Sequence, residues 1–438
     1  MKSLSVNLCD WYDVTESDFK IVKEVIAFQK LVLHTAIIYV NSNLWKNSNE
    51  TAVLSIFPTL AACENLKSLT IDMKSFHIHT SLASSRSEGQ SSGALYLEGD
   101  VNQSEPEFKD IQEHVEFLEQ FLPVEFYALE HLKIKSNANY RLIDYVLLKL
   151  RAPRLKRLNM DLEHYGRAGI QKMIDFLHFH SGTLELFKFN LYWEPICRNR
   201  TEWPPEILKK ATEVGTFLKN VVTLEIQLNG CHKFLQPWHE IVRQIPKTNH
   251  SLKQLTINIY ELNLTEEELT FSSSVLMESV GFSSLRVLDV QQPDCVFDFT
   301  VLSDNCPLVE DIYLRAKYIE NIHLLPRSCK RLSMYKTVPS QKQWRDLATM
   351  DHNLETLFVK IGTENFQHRG SRLEISVALC KRIYRPATMK RFSIYPVICF
   401  SRAQHRTRER LLPVIPSIRC RHDRAIDPSA NYCSDSDY

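Results

Sequence analysis

Leu252-Lys253-Gln254-Leu255-Thr256-Ile257, followed by Leu285-Arg286-Val287-Leu288-Asp289-Val290 and Val309-Glu310-Asp311-Ile312-Tyr313-Leu314, is one pattern written three times. An apolar anchor is followed by apolar residues three and five places on. Alternation over the last part of the unit is the period-two signature of a short strand with one buried face. The pattern extends outward in both directions. Upstream it recurs from Leu66, Leu129, Leu155, Leu184 and Val221, and downstream from Cys329, Leu354 and Met389. Weaker copies are read at Met1–Val6, Phe28–Leu33 and Leu95–Leu97. From Leu129 onward the anchors are 20 to 37 residues apart, the spacing of a repeat array and not of scattered strands.

Helical stripes fill the intervals. Leu142, Ile143, Val146, Leu147 and Leu150 form one, Ile170, Met173, Ile174 and Leu177 a second, and Ile207, Leu208, Ala211, Val214 and Leu218 a third. Strand, helix, strand in regular succession requires a parallel sheet with right-handed crossovers. The expected fold class is therefore α/β: an irregular solenoid, a right-handed horseshoe with a concave parallel sheet and convex helices. The array is expected over residues 1–396, with a flexible insertion near 80–110 where the Ser-rich stretch 80–93 cannot bury apolar surface. The tail 397–438, with seven arginines between Arg402 and Arg424 and then Ser-Asp-Ser-Asp-Tyr438, is expected to be disordered.

From about residue 25 to about 396 the chain resembles the leucine-rich-repeat superfamily. Within it, Leu302-Ser-Asp-Asn-Cys306-Pro307-Leu308-Val309 is most similar to the repeats of F-box/leucine-rich-repeat proteins. The consensus Asn three places after the last apolar residue stands at Asn137 and Asn229, but Glu163, Tyr192, Tyr260 and Pro293 occupy it elsewhere, which predicts irregular turns. The resemblance implies substrate recognition for a cullin-RING ubiquitin ligase, with a Skp1-type adaptor as partner where an F-box precedes the repeats. No F-box is recognisable: Leu122-Pro123-Val124-Glu125 matches its opening but runs directly into the strand unit at Leu129. A repeat scaffold or regulator with no ubiquitin role is the second reading, and a nuclear protein touching nucleic acid through its basic tail is the third.

Bulk properties exclude little beyond this. The 438 residues carry a net charge of +1, 44% hydrophobic and 24% charged residues, so nothing global favours nucleic acid, and no apolar run is long enough to span a bilayer. A cytoplasmic location, or a nuclear one, is expected. The 11 cysteines include no CxxC pair, and the 11 glycines form no phosphate loop. The pairs His77/His79 and His178/His180 have no third ligand nearby, so they read as structural, and neither a metal nor another cofactor is expected. No nucleophile elbow or His-Glu-x-x-His appears, and the chain reads as a non-enzyme.

Counting the anchor as position one, positions three, five and seven point away from the core. They include Lys133, Lys135, Asn159, Asp161, Lys188, Asn190, Glu225, Gln227, Thr256 and Asn258. The C-terminal registers hold Asp289, Gln291, Tyr313, Arg315, Tyr335, Phe358, Lys360 and Tyr395. Aromatic and arginine side chains on a solvent face are the residues that anchor protein interfaces, so a protein substrate or regulator is expected there.

Overall fold

The computed structural model describes residues 2–8, 16–41, 50–74, 117–136, 140–163, 167–192, 202–230, 232–261, 278, 280–337, 339–360, 382–385 and 387–395. The Ser-rich stretch, Leu95–Leu97, His77, His79 and the arginine-rich tail lie outside the described residues. The chain forms two compact units, Met1–Phe176 and Leu177–Tyr438, both α/β.

In the first unit, strands β1 (Ser3–Asn7), β2 (Thr35–Asn41) and β3 (Ser68–Lys74) alternate with helices α1 (Glu16–Phe28), α2 (Glu50–Leu54) and α3 (Ile56–Ala61). After β4 (Val124–Glu125) come β5 (His131–Ser136), α4 (Tyr140–Lys149), β6 (Leu150–Arg151) and β7 (Arg157–Glu163). β1, β2, β3, β5 and β7 lie side by side in chain order, all parallel, while β4 and β6 pair apart from them. Leu122-Pro123 leads straight through β4 into β5. The division between the units falls within α5 (Arg167–His180).

The second unit repeats the plan with β8 (Leu186–Tyr192), α6 (Pro205–Phe217), β9 (Thr223–Gly230), α7 (His232–Thr248) and β10 (Gln254–Glu261). It continues with β11 (Val287–Asp298), α8 (Thr300–Asn305), β12 (Asp311–Glu320), β13 (Arg331–Tyr335), α9 (Gln341–Thr349), β14 (Thr356–Lys360) and β15 (Arg391–Tyr395). These strands too are parallel and neighbour one another in chain order.

The anchors of the clear copies are buried, Leu66, Leu129, Leu155, Leu184, Val221, Leu252, Leu285, Val309, Cys329, Leu354 and Met389, and Leu33 takes the anchor's place before β2. The apolar residues three and five places on are buried with them, except that the burial of Ile394 in the last unit is not described. Each fully buried aliphatic side chain contributes about 1.5–3 kcal/mol, so the repeated unit is the main source of stability. The three helical stripes are also buried, apart from Leu208, which is half-buried. One strand assignment changes. Phe28–Leu33 is not a strand: Phe28 ends α1 and is 86% exposed, and β2 begins after the anchor Leu33. β11 runs through Pro293, past an irregularity between Gln292 and Val296, and pairs Val296, Phe297 and Asp298 with Tyr318, Ile319 and Glu320.

The turns into the strands are regularised from an unexpected place. The residue before the anchor, not the one after the strand, supplies a side-chain bond to the preceding repeat. Asn65, Asn220 and Asn353 donate from Nδ2 to the carbonyls of Leu31, Gly182 and Arg327 at 2.8, 2.8 and 3.0 Å. The shorter Ser284 and Ser328 donate to the preceding anchors, Leu252 and Val309, at 2.7 Å each. Buried Asn249 adds four bonds of its own. Its Nδ2 donates to Leu218 and Val221 carbonyls and its Oδ1 accepts from the Ser251 and Leu252 amides.

A second ladder runs one residue after the anchor. There, within each unit, the backbone N–H donates to the equivalent carbonyl of the previous repeat, as Arg286 does to Lys253 at 2.9 Å and Glu310 to Arg286 at 2.8 Å. From Arg286 onward the side chains alternate in sign: Arg286, Glu310, Lys330, Glu355, Lys390. Glu310 joins Arg286 at 2.5 Å and Lys330 at 2.9 Å, and Lys390 joins Glu355 at 2.6 Å. The Lys330 ammonium and then the Arg286 guanidinium hold the Glu310 carboxyl below its ordinary range, and Lys390 does the same for Glu355.

Close helix packing sets one strict requirement. A Cβ at Gly215 on α6 would lie 2.5 Å from the Ile241 carbonyl oxygen and 2.8 Å from the Gln244 Cβ on α7. Gly215→Ala gains at most about 1 kcal/mol in helix propensity, against about 1–3 kcal/mol for forcing the helices apart. We expect net destabilisation by about 1–2 kcal/mol in urea unfolding; a variant as stable as the parent would show that the helices have room.

Candidate functional site

The outward side chains of β8–β15 form a grid of three rows, because parallel registry aligns position three with three, five with five and seven with seven. The middle row runs Lys188, Glu225, Thr256, Asp289, Tyr313, Ser333, Phe358, Ser393. The next runs Asn190, Gln227, Asn258, Gln291 and Arg315, and then Tyr335, Lys360 and Tyr395. The first row ends in Val287, Asp311, Arg331, Thr356 and Arg391. All eight C-terminal positions expected on this face sit on these rows. The side chain of Tyr395 lies outside the described residues.

Charge is segregated along the grid. In β8–β11 the outward charges are Lys188, Glu225 and Asp289, with Lys188 ion-paired to Glu225. The rest are mostly amides. Gln227 donates to Glu225 at 3.2 Å and Gln291 to Asp289 at 3.3 Å, the same arrangement two residues apart on two strands. Burial pushes the Asp289 carboxyl up; Gln291 opposes this by hydrogen bonding and Glu225 adds to it by repulsion.

On the three rows of β12–β15 the charges are Arg315, Arg331, Lys360 and Arg391 against a single carboxylate, Asp311. Arg331 grips Asp311 through two bonds of 2.5 Å. Among the described residues Arg315, Lys360 and Arg391 are paired with no carboxylate. Aromatic rings lie between these cations. Tyr335, 37% exposed, meets Phe358 at 5.4 Å between centroids, and the Arg391 guanidinium stands 6.0 Å from the Phe358 ring. Burial raises the Tyr335 hydroxyl pKa, with help from Tyr313 and Asp289 and against the opposing Arg391 charge.

Arg315 is held in place. One terminal nitrogen donates to the Tyr260 hydroxyl at 2.7 Å, and the guanidinium lies 5.3 Å from the Tyr260 ring, so β10 orients a cation carried by β12. Cation–π contacts contribute about 0.5–2 kcal/mol. Arg315 Nε, Asn258 Oδ1 and Asn229 Oδ1 are buried and have no hydrogen-bond partner among the described residues.

Position-seven reasoning does not find Tyr260, whose only sequence mark is that it replaces a consensus Asn. Position three was the available signal for Asp311, Arg331 and Arg391. His178 bonds Glu213 at 3.1 Å and packs against Phe217, while His180 is buried, so the two rings serve different surroundings. Among the described residues no group of three metal-ligating side chains occurs, and no helix is long and apolar enough to cross a membrane.

Neither a scan against protein-family models nor a search of curated proteins finds a match to this chain.

Because the folded pKa of Asp289 is raised, its ionisation opposes folding at pH values above that pKa. The opposition disappears as pH falls below the unfolded pKa. Asp289→Asn is therefore expected to raise the thermal midpoint at about pH 7 and to leave it unchanged near about pH 3. A lower midpoint at neutral pH would mean that the carboxylate is stabilising.

Proposed function

We propose that the protein is a leucine-rich-repeat binding module whose outward sheet face, on β11–β15, captures a protein partner. We further propose that it serves as the substrate-recognition subunit of a cullin-RING ubiquitin ligase in the cytoplasm or nucleus. The observation that carries the binding role is the grouping of Tyr313, Tyr335 and Phe358 with Arg315, Lys360 and Arg391 on the outward rows of β12–β15, opposite the buried anchors. Core strands bury their aromatics; these rings stand on the opposite side. Tyr and Arg dominate interface energetics because they combine large contact area with directional bonds. Regular parallel repeats with alternating helices support the repeat reading, and resemblance of the Cys306-Pro307 unit supports the ligase role. Catalysis would then belong to partner subunits, with this chain supplying capture and orientation.

Two measurements test the reading. Combined Tyr313→Ala, Tyr335→Ala and Phe358→Ala substitution is expected to lower partner capture at least about tenfold while far-ultraviolet circular dichroism and cooperative melting persist. Unchanged capture by a folded triple variant removes this face from the function. Binding to a purified Skp1-type adaptor is then measured for this chain and for any longer upstream reading frame. Adaptor bound by either form supports the ligase role, and adaptor bound by neither makes the protein a repeat scaffold.

A further inference from the structure

We infer that the β12–β15 face selects an acidic peptide segment, one in which carboxylates flank a large apolar side chain. This rests on the reading of that face as the protein-binding surface and specifies the chemistry of what it holds. Three features of the grid carry it.

First, the three rows of β12–β15 hold four cations and one carboxylate, and that carboxylate is already bonded to Arg331. Arg315, Lys360 and Arg391 remain as charges to be complemented. Second, these cations surround the ring pair. Lys360 pairs with Tyr335, Arg315 holds the same position of its repeat on β12, and Arg391 lies across Phe358 in the first row. With strands about 4.8 Å apart and residues rising about 3.3 Å, Arg315 and Lys360 arise about 10 Å apart and Lys360 and Arg391 about 14 Å apart. An extended peptide covers that span in three to four residues. Carboxylates two places to either side of a central phenylalanine or leucine would reach the cations while the apolar side chain covers Tyr335 and Phe358. Third, Arg315 is pre-set by Tyr260, so less side-chain freedom is lost when it binds an anion.

The adjoining face argues against a nucleic-acid strand, which offers the same combination of negative charge and stackable rings. Asp289 borders Tyr313 directly, and Glu225 lies two strands further on. A continuous phosphate backbone extending over β9–β11 would meet these carboxylates, whereas a peptide places its charges discretely and leaves that region to neutral or basic residues.

The test uses the full chain and fluorescence anisotropy. The probe is a labelled Gly/Ser peptide with a central phenylalanine and a glutamate two positions to either side; controls replace both glutamates by glutamine or by lysine, and a short oligothymidylate serves as the nucleic-acid arm. The acidic probe is expected to bind at least about tenfold more tightly than the glutamine control, with the advantage shrinking as salt rises. Lys360→Glu/Arg391→Glu is expected to lose that preference and to favour the lysine probe, a gain that a misfolded variant would not produce. Arg391→Lys retains the preference. Equal binding of acidic and neutral probes, or tighter binding of oligothymidylate, overturns the inference. If either occurs while the triple aromatic variant still loses its partner, the face remains a protein-binding surface with a different selectivity; if the triple variant also retains its partner, both readings fall.

Discussion

A parallel strand cannot satisfy its own backbone, nor can it turn back on itself through a two-residue hairpin. Each strand here is complete only when the next repeat delivers its amides in the same register. The bond from the residue after each anchor to its counterpart one repeat earlier enforces that register, as in Lys67 to His34, Glu130 to Lys67 and, in the second unit, Lys253 to Val222 and Glu355 to Lys330. Anchors, helical stripes and side-chain ladders are all consequences of keeping this one alignment. The outward grid is another, since rows exist only where position five always meets position five.

The strands were legible because burial imposes a two-residue alternation that little else in a sequence imitates. The failures have specific causes. Phe28 and Leu31 carry the apolar spacing but sit at and after the end of α1 with exposed side chains, so hydrophobicity alone misplaced β2 by several residues. The length of β11 was not legible at all: the repeat unit ends at Val290, and the strand continues through an irregularity at Gln292–Val296 in pairing with the long β12. Reading the residue after the strand also did not find that the chain places Asn or Ser before the anchor, where the amide reaches a carbonyl two residues earlier than the hydroxyl does, in keeping with their lengths.

The candidate face was legible to the extent that it depends on alternation. Tyr313, Arg315, Tyr335, Phe358 and Lys360 fall on the outward rows because strand geometry leaves no other place for them. What one repeat's spacing does not contain is coupling across repeats. Tyr260 and Arg315 meet over an intervening strand, 55 residues apart in the chain, and the preference of Arg391 for the Phe358 ring depends on β14 and β15 sharing a register. Charge segregation is likewise invisible in the net charge of +1, which averages a cationic, aromatic end of the grid with an acidic, amide-rich one.

The alternating charges of Arg286, Glu310, Lys330, Glu355 and Lys390 impose a parity rule on this part of the chain. Removing one repeat from within that run would leave every apolar contact type intact and still set two like charges side by side at the junction. Removing two would restore alternation. Growth and loss of repeats here are therefore constrained to even steps, a discreteness that comes from electrostatics and not from the hydrophobic pattern that defines the repeat.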